Sequence, residues 1–346
     1  MSSGPPPLIS VIMPVYNAAP GLEAALAGLW AQRPAPDAPL PPFEVIAVDD
    51  GSTDDGPALL EAAAARETRL RVLRRPHQGI AKALNAGLAA ARGVYLARMD
   101  ADDTLHPERL ARQAAHLDAD SALHLSASCV NFGGDAVTAH GFAHFVDWQN
   151  SLRTPEDIAR QRFRDTPVCH PSVMFRREAV ERWGGYADGD FPEDWELWLR
   201  WLDAGARMEK LSPRLLTWND LPDRATRADA RYREAACNEL RAFWLARALA
   251  RANPFHPEVW VLGAGRMARR RLAPLWQHGI RPAAYIDIDP RKIGNRVGNV
   301  PVLPRAALPK PGRCRILNAL TAHGAAEEAA RWLESAGHGP DDWLLV

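Results

Sequence analysis

From Leu8 to Met99 four short β-rich runs alternate with helical patterns, and this alternation constrains the fold more than any other feature. Leu8–Pro14 (LISVIMP), Phe43–Val48 (FEVIAV), Leu70–Leu73 and Val94–Met99 read as strands. Helical patterns fill 21–32, the stretch from the turn DDGSTDD to about Glu67, and 79–92, with Asp54 or Asp55 capping the second of them. Apolar strands separated by single helices make parallel neighbours, so the residues imply an α/β fold with a mostly parallel sheet covered on both faces. Ligands of such sheets bind beyond the carboxyl ends of the strands. The turns after the first, second and fourth strands are therefore where chemistry belongs. The Pro-rich stretch 34–42 is a surface excursion, because the alternation resumes at once.

Farther along, 124–168 suits irregular strands and loops around a site, while Glu178–Trp183 and Trp195–Asp203 have short amphipathic helical patterns. A long Ala- and Arg-rich helix over Asp229–Arg251 leads to a second unit from Glu258. There Val259–Leu262, the turn GAGRMA, a helix to about His278 and Ala283–Asp287 form one βαβ element, with further strands at Arg315–Leu317 and Trp343–Val346. The expected organisation is a domain over 1–220, a helical linker over 221–256 and a small α/β domain over 257–346.

With 42 Lys+Arg against 42 Asp+Glu the formal charge is zero, which argues against a nucleic-acid partner or a generic anionic-membrane binder. The 47% apolar content excludes wholesale disorder. Yet 1–218 holds 22 basic and 29 acidic residues, while 257–346 holds 13 and 8. Only four basic residues are Lys (82, 210, 292 and 310), a bias toward Arg that reads mainly as compositional. The four cysteines (129, 169, 237 and 314) form no metal-type spacing and read as reduced thiols. With no signal-type start and no run of 18 apolar residues, a cytoplasmic chain is expected, with peripheral membrane association and homo-oligomerisation left open.

The acidic residues gather at strand ends: Asp49 and Asp50 after the second, and Asp100, Asp102 and Asp103 after the fourth. Converging carboxylates repel unless a cation is held between them. Oxygen ligands of this kind suit Mg²⁺ or Mn²⁺, which share their shell with substrate phosphates. Asp-rich turns also arise as helix caps, but a second such turn at another strand end is less easily explained that way.

MPVYN (13–17), VDDGSTD (48–54), GIAKALNAG (79–87), MDADD (99–103) and PEDWELWLR (192–200) follow in order, and the set resembles the family 2 glycosyltransferases of the GT-A fold over roughly 8–220. The resemblance implies a nucleotide-sugar donor, a UDP-sugar foremost, held as a metal–diphosphate. The acceptor it implies is a glycan, lipid-linked or small-molecule hydroxyl, and transfer would proceed with inversion. It matches Pro14 and Tyr16 to base contacts, and Asp50, with Asp49 beside it, to the acceptor of a base hydrogen bond. Asp102 corresponds to a ribose and phosphate contact that also serves the metal, and Asp103 to the metal ligand. The phase of Asp100-Ala101-Asp102-Asp103 is ambiguous, so Asp100 can take the first role instead. Lys82 is either a phosphate contact or a solvent-facing helix residue. Asp194 matches the acceptor base and Glu193 a second acceptor-side contact, although the pair would also suit a helix amino terminus. Trp195, Trp198 and Trp201 recur at core spacing, with sugar stacking open to Trp195. His170 matches a donor-sugar or phosphate contact, with a structural histidine as the alternative. Arg224 and Arg227 lie where the family brings basic residues over the diphosphate.

In the second unit Gly263, Gly265 and Ala268 form GxGxxA after a strand, and Asp287 follows 22 residues beyond Gly265. Glycines here let backbone approach a phosphate, and the acid can bond a ribose hydroxyl. The stretch 286–303 also resembles the amino-terminal Rossmann-like half-domain of bacterial sugar acyltransferases. Nucleotide binding or assembly fits this unit better than catalysis. The rival to an enzyme is a non-catalytic nucleotide-sugar scaffold or sensor; an NAD-dependent oxidoreductase would leave the aspartates without a role.

Overall fold

The computed structural model describes residues 8–221, 227, 229–322 and 324–346. Two compact units emerge. The first gathers residues up to 159 with 166–189 and 193–228, and the second gathers 160–165, 190–192 and 229–346.

The first unit is built on β1 (Ile9–Val15), β2 (Phe43–Asp49), β3 (Leu70–Arg74), β4 (Tyr95–Arg98), β5 (Thr104–Leu105), β6 (Leu125–Phe132), β7 (Met174–Arg176) and β8 (Met208–Trp218). Their order in the sheet is β3-β2-β1-β4-β7-β6-β8-β5. The first four strands are mutually parallel, β7 runs antiparallel to both neighbours, and β8 is parallel to β6. Side chains alternate across the sheet with the period of two that a strand imposes. Val11, Met13 and Val15 enter one core with Val45, Ala47 and Ala97. Ile12 enters the opposite core with Ile46, Val48 and Leu96. Burial on both faces explains why these strands read as unbroken apolar runs.

Two stretches differ from expectation. Residues 124–168 hold the regular strand β6 and two helices, His140–Ser151 and Pro155–Gln161, where irregular strands and loops are expected. The eleven-residue β8 gave no signal because Ser212–Pro213 and its charged residues interrupt the pattern. In the sheet that interruption becomes a bulge: Ser128 pairs with Leu211, and the next residue, Cys129, pairs with Arg214.

The second unit contains β9 (Glu258–Leu262), β10 (Arg281–Ile286), β11 (Arg296–Val297), β12 (Val300–Leu303), β13 (Ile316–Asn318) and β14 (Trp343–Leu345). They are ordered β11-β12-β10-β9-β13-β14, and all but β11 are parallel. The order reverses at β9, whose carboxyl end carries the glycine turn. The helix Glu234–Ala252 belongs to this unit. Among the described residues no helix is long and apolar enough to cross a membrane.

Gly87, on the helix Ile80–Ala90, lets that helix lie close against the sheet, since a Cβ there would sit 2.4 Å from Ile12 Cγ2 and 3.4 Å from Val48 Cγ2. Overpacking of this kind costs about 1–3 kcal/mol. Gly87→Val is expected to lower the urea midpoint accordingly, with an unchanged denaturant slope.

Candidate functional site

The loops after β1 and β2 are stitched together. Asn17 donates its backbone N–H to Ser52 Oγ at 3.0 Å, and its Oδ1 accepts from the Thr53 N–H at 2.8 Å. Asp54 accepts the Ala19 N–H at 2.8 Å on one carboxylate oxygen and the Gly56 N–H at 3.0 Å on the other. Of the two capping options, Asp54 therefore serves the start of the second helix, and Asp55 makes no cap bond. Asp49 accepts the Ser52 N–H at 2.9 Å. Asp50, only 2% exposed, accepts the Gly79 N–H at 2.8 Å and the Gln78 N–H at 3.2 Å, and lies 3.0 Å from His77 Nδ1. Both carboxylates thus already hold the chain's own loops. Pro14 lies in β1, and Tyr16 beyond it is 48% exposed, its ring stacked at 4.0 Å on His77.

Asp100, Asp102 and Asp103 offer carboxylate oxygens that all lie within 4.8 Å of one another. Among the described residues this is the one group of three or more side chains with metal-ligand chemistry. Asn219, just past the end of β8, fixes the loop from both sides. Its N–H donates to Asp103 Oδ1 at 3.0 Å and its amide to the Asp102 carbonyl at 2.8 Å. Gly21 admits the close approach of the first helix, since a Cβ there would stand 2.9 Å from Asp102 Cα. Asp100 forms an ion pair with the guanidinium of Arg98, the buried last residue of β4. Arg227 pairs with Asp220 at 2.6 Å, the residue after Asn219, and lies over the Phe142 ring at 4.7 Å. Arg224 lies outside the described residues. Asn219 and Asp220 went unnoticed in the sequence, because a polar pair is informative only once the strand before it is recognised.

Glu193 and Asp194 open the helix Glu193–Asp203. Glu193 is buried, while Asp194 is half-buried and accepts the Trp195 N–H at 2.7 Å. His170 is buried with its Nε2 2.8 Å from the Tyr186 hydroxyl and its Nδ1 3.8 Å from Glu193. Burial, then the nearby charge of Arg98, holds the His170 imidazole well below its ordinary value. A neutral ring enclosed against the Tyr186 hydroxyl fits the structural alternative. Tyr186 is raised by burial, opposed by Arg98 and reinforced by Glu193, Asp194 and Asp100. The metal-type carboxylates and the acidic pair therefore share one electrostatic neighbourhood around Arg98 and Tyr186. Trp195, Trp198 and Trp201 are fully buried, so the sugar-stacking option for Trp195 falls away. Lys82 is half-exposed and pairs with Asp188 at 3.2 Å, matching the solvent-facing option.

In the second unit Gly263 turns the chain at a φ of +100°, Gly265 precedes the helix Arg266–Gln277, and Ala268 is buried within it. Asp287 is occupied: it accepts the N–H groups of Ala264, Ile288 and Asp289 at 2.9–3.0 Å and lies 3.1 Å from Lys292 Nζ. Burial works to raise its value, but these bonds and the Lys292 charge together lower it.

The family model described as glycosyl transferase family 2 matches residues 10–184. The chain belongs to that family. It is 30% identical over 204 residues to the amylovoran biosynthesis glycosyltransferase AmsE of Erwinia amylovora, covering 57% of this chain and 71% of AmsE. It is 37% identical over 97 residues to the uncharacterized glycosyltransferase EpsJ of Bacillus subtilis, 28% of this chain and 26% of EpsJ. The crystal structure of S. aureus TarS 1-349 in complex with UDP-GlcNAc superposes with a TM-score of 0.51 at 19% identity, covering 70% of this chain and 72% of that one. That likeness supports the GT-A-like α/β fold of this glycosyltransferase.

His116, His124 and His338 are, like His170, lowered first by burial. A base whose folded value is depressed gains its proton on unfolding, so its contribution is complete above the ordinary value of about 6.5 and is lost as pH falls below it. Each such group gives a slope of up to about 1.4 kcal/mol per pH unit in that window. Urea midpoints should therefore drop from about pH 7 to pH 5, and His170→Asn should flatten that drop.

Proposed function

We propose that this glycosyltransferase moves a sugar from a nucleoside-diphosphate donor to a hydroxyl acceptor in polysaccharide or glycan assembly, with inversion at the anomeric carbon. The observation that carries the reading is the group of Asp100, Asp102 and Asp103, gathered within 4.8 Å beyond the end of β4. It shares its electrostatic surroundings with Glu193 and Asp194. A donor set made only of carboxylates fits a hard divalent cation, Mg²⁺ or Mn²⁺. Asp102 and Asp103 would hold the cation, which supplies positive charge to the departing diphosphate.

The chain's own residues do the rest. Tyr16 offers an exposed ring to the base beside Pro14, against loops that Asp49 and Asp50 hold in place. Arg227, paired with Asp220, supplies positive charge near the diphosphate, the role the family resemblance also gives to Arg224. Asp194 takes the proton of the acceptor hydroxyl as its oxygen bonds to the anomeric carbon and the bond to the diphosphate oxygen breaks. Glu193 orders the acceptor side. For the second unit we propose nucleotide or nucleotide-sugar binding, or assembly, at the Rossmann-like turn of Gly263, Gly265 and Ala268. The order reversal at β9 supports this reading, with Asp287 shaping the turn from within.

The protein is to be incubated with UDP-, GDP- and dTDP-sugars and Mn²⁺ or Mg²⁺, with donor hydrolysis as the readout. Turnover of one donor that stops on chelation supports the reading, and metal-dependent binding without turnover of any donor favours a scaffold. Asp194→Asn is expected to keep donor binding and lose transfer by about 10²–10⁴-fold, the usual range for a general base. Full transfer by that variant would remove Asp194 from the role.

A further inference from the structure

Two arginines lie buried behind the carboxylate loop, and their surroundings are opposite. Arg109, wholly buried, donates to the carbonyls of Arg98 and Val173 at 2.8 and 3.2 Å and to Gln113 Oε1 at 2.9 Å. These partners are neutral, and burial pulls Arg109 down to about 10. Arg98, 3% exposed, instead meets the carboxylate of Asp100. Burial acts to lower Arg98 as well, but the charge of Asp100, reinforced by Tyr186 and Asp103, overrides it and raises the value. Its Nε has no hydrogen-bond partner among the described residues.

We propose that Arg98 is a permanent counter-cation of the carboxylate group: it claims Asp100, keeps that side chain out of the metal's coordination, and so leaves Asp102 and Asp103 as the metal's protein ligands. The inference rests on the metal-dependent reading above, and it assigns the phase of the four-residue motif to Asp102 and Asp103. An arriving dication meets a fixed positive charge beside three negative ones. Metal binding by the protein alone is consequently weaker than three carboxylates would give, and the donor diphosphate supplies the missing negative charge. Arg98 is a positioning residue; it acts through Asp100.

Mn²⁺ binding without donor, followed by the electron paramagnetic resonance of the free ion, separates the possibilities, with folding checked by circular dichroism. Arg98→Met removes the repelling charge and should tighten Mn²⁺ by about tenfold, whereas Arg98→Lys should stay near the wild type. The double variant Arg98→Met with Asp100→Asn removes the pair at constant net charge and should change affinity by less than about threefold. Asp103→Asn should weaken it by more than about tenfold. A folded double variant that weakens as much as Asp103→Asn would make Asp100 a ligand and overturn the proposal. If Arg98→Met does not fold, the comparison of the double variant with Asp103→Asn decides. Failure of the wild type to bind Mn²⁺ even with UDP or GDP present would instead overturn the metal reading itself.

Discussion

A parallel sheet ends its strands on one side, and here that geometry delivers five aspartates from β2 and β4 to a single edge. Like charges gathered there would push the loops apart unless each were matched, and the structure matches them by different means. Asp49 and Asp50 are met by backbone N–H groups of neighbouring turns. Asp103 is met by the backbone of Asn219, and Asp100 by the guanidinium of Arg98. The rest of the first unit, from the close approach at Gly21 to the strand that ends in Asn219, keeps that edge in register.

The second half of the site is organised from beneath. His170 and Tyr186 form a buried pair between Arg98 and the acidic helix start, with neither ring carrying charge at neutral pH. The tryptophans of the same helix pack under them: Trp198 meets the edge of His170 at 5.9 Å, and Trp201 packs on Phe175. An apolar floor of this sort underlies the start of the helix that carries Glu193 and Asp194. It also accounts for an aromatic row in the sequence that reads like a carbohydrate platform but is buried.

Much of this was legible in the amino-acid sequence, for physical reasons that can be named. The parallel half of the sheet announces itself because each strand is buried on both faces and must be apolar throughout. The aspartate turns are legible because they fall where those strands stop. β8 was hidden by a proline that the sheet absorbs as a bulge, and with it went Asn219 and Asp220. The helices within 124–168 were hidden by aromatic and histidine residues that do not follow a simple apolar stripe. Side-chain partners were the least legible. Nothing in the motif VDDGSTD says that Asp50 accepts from Gln78 and Gly79, and nothing in IDIDP says that Asp287 accepts from its own turn. Such pairings depend on loops meeting in space.

The stitching of the loops after β1 and β2 by Asn17, Ser52, Thr53 and Asp54 has its own consequence. The conformational entropy of that wall is surrendered when the chain folds, before any guest arrives. On the reading proposed above, a nucleotide beside Tyr16 would meet loops that these bonds have already ordered.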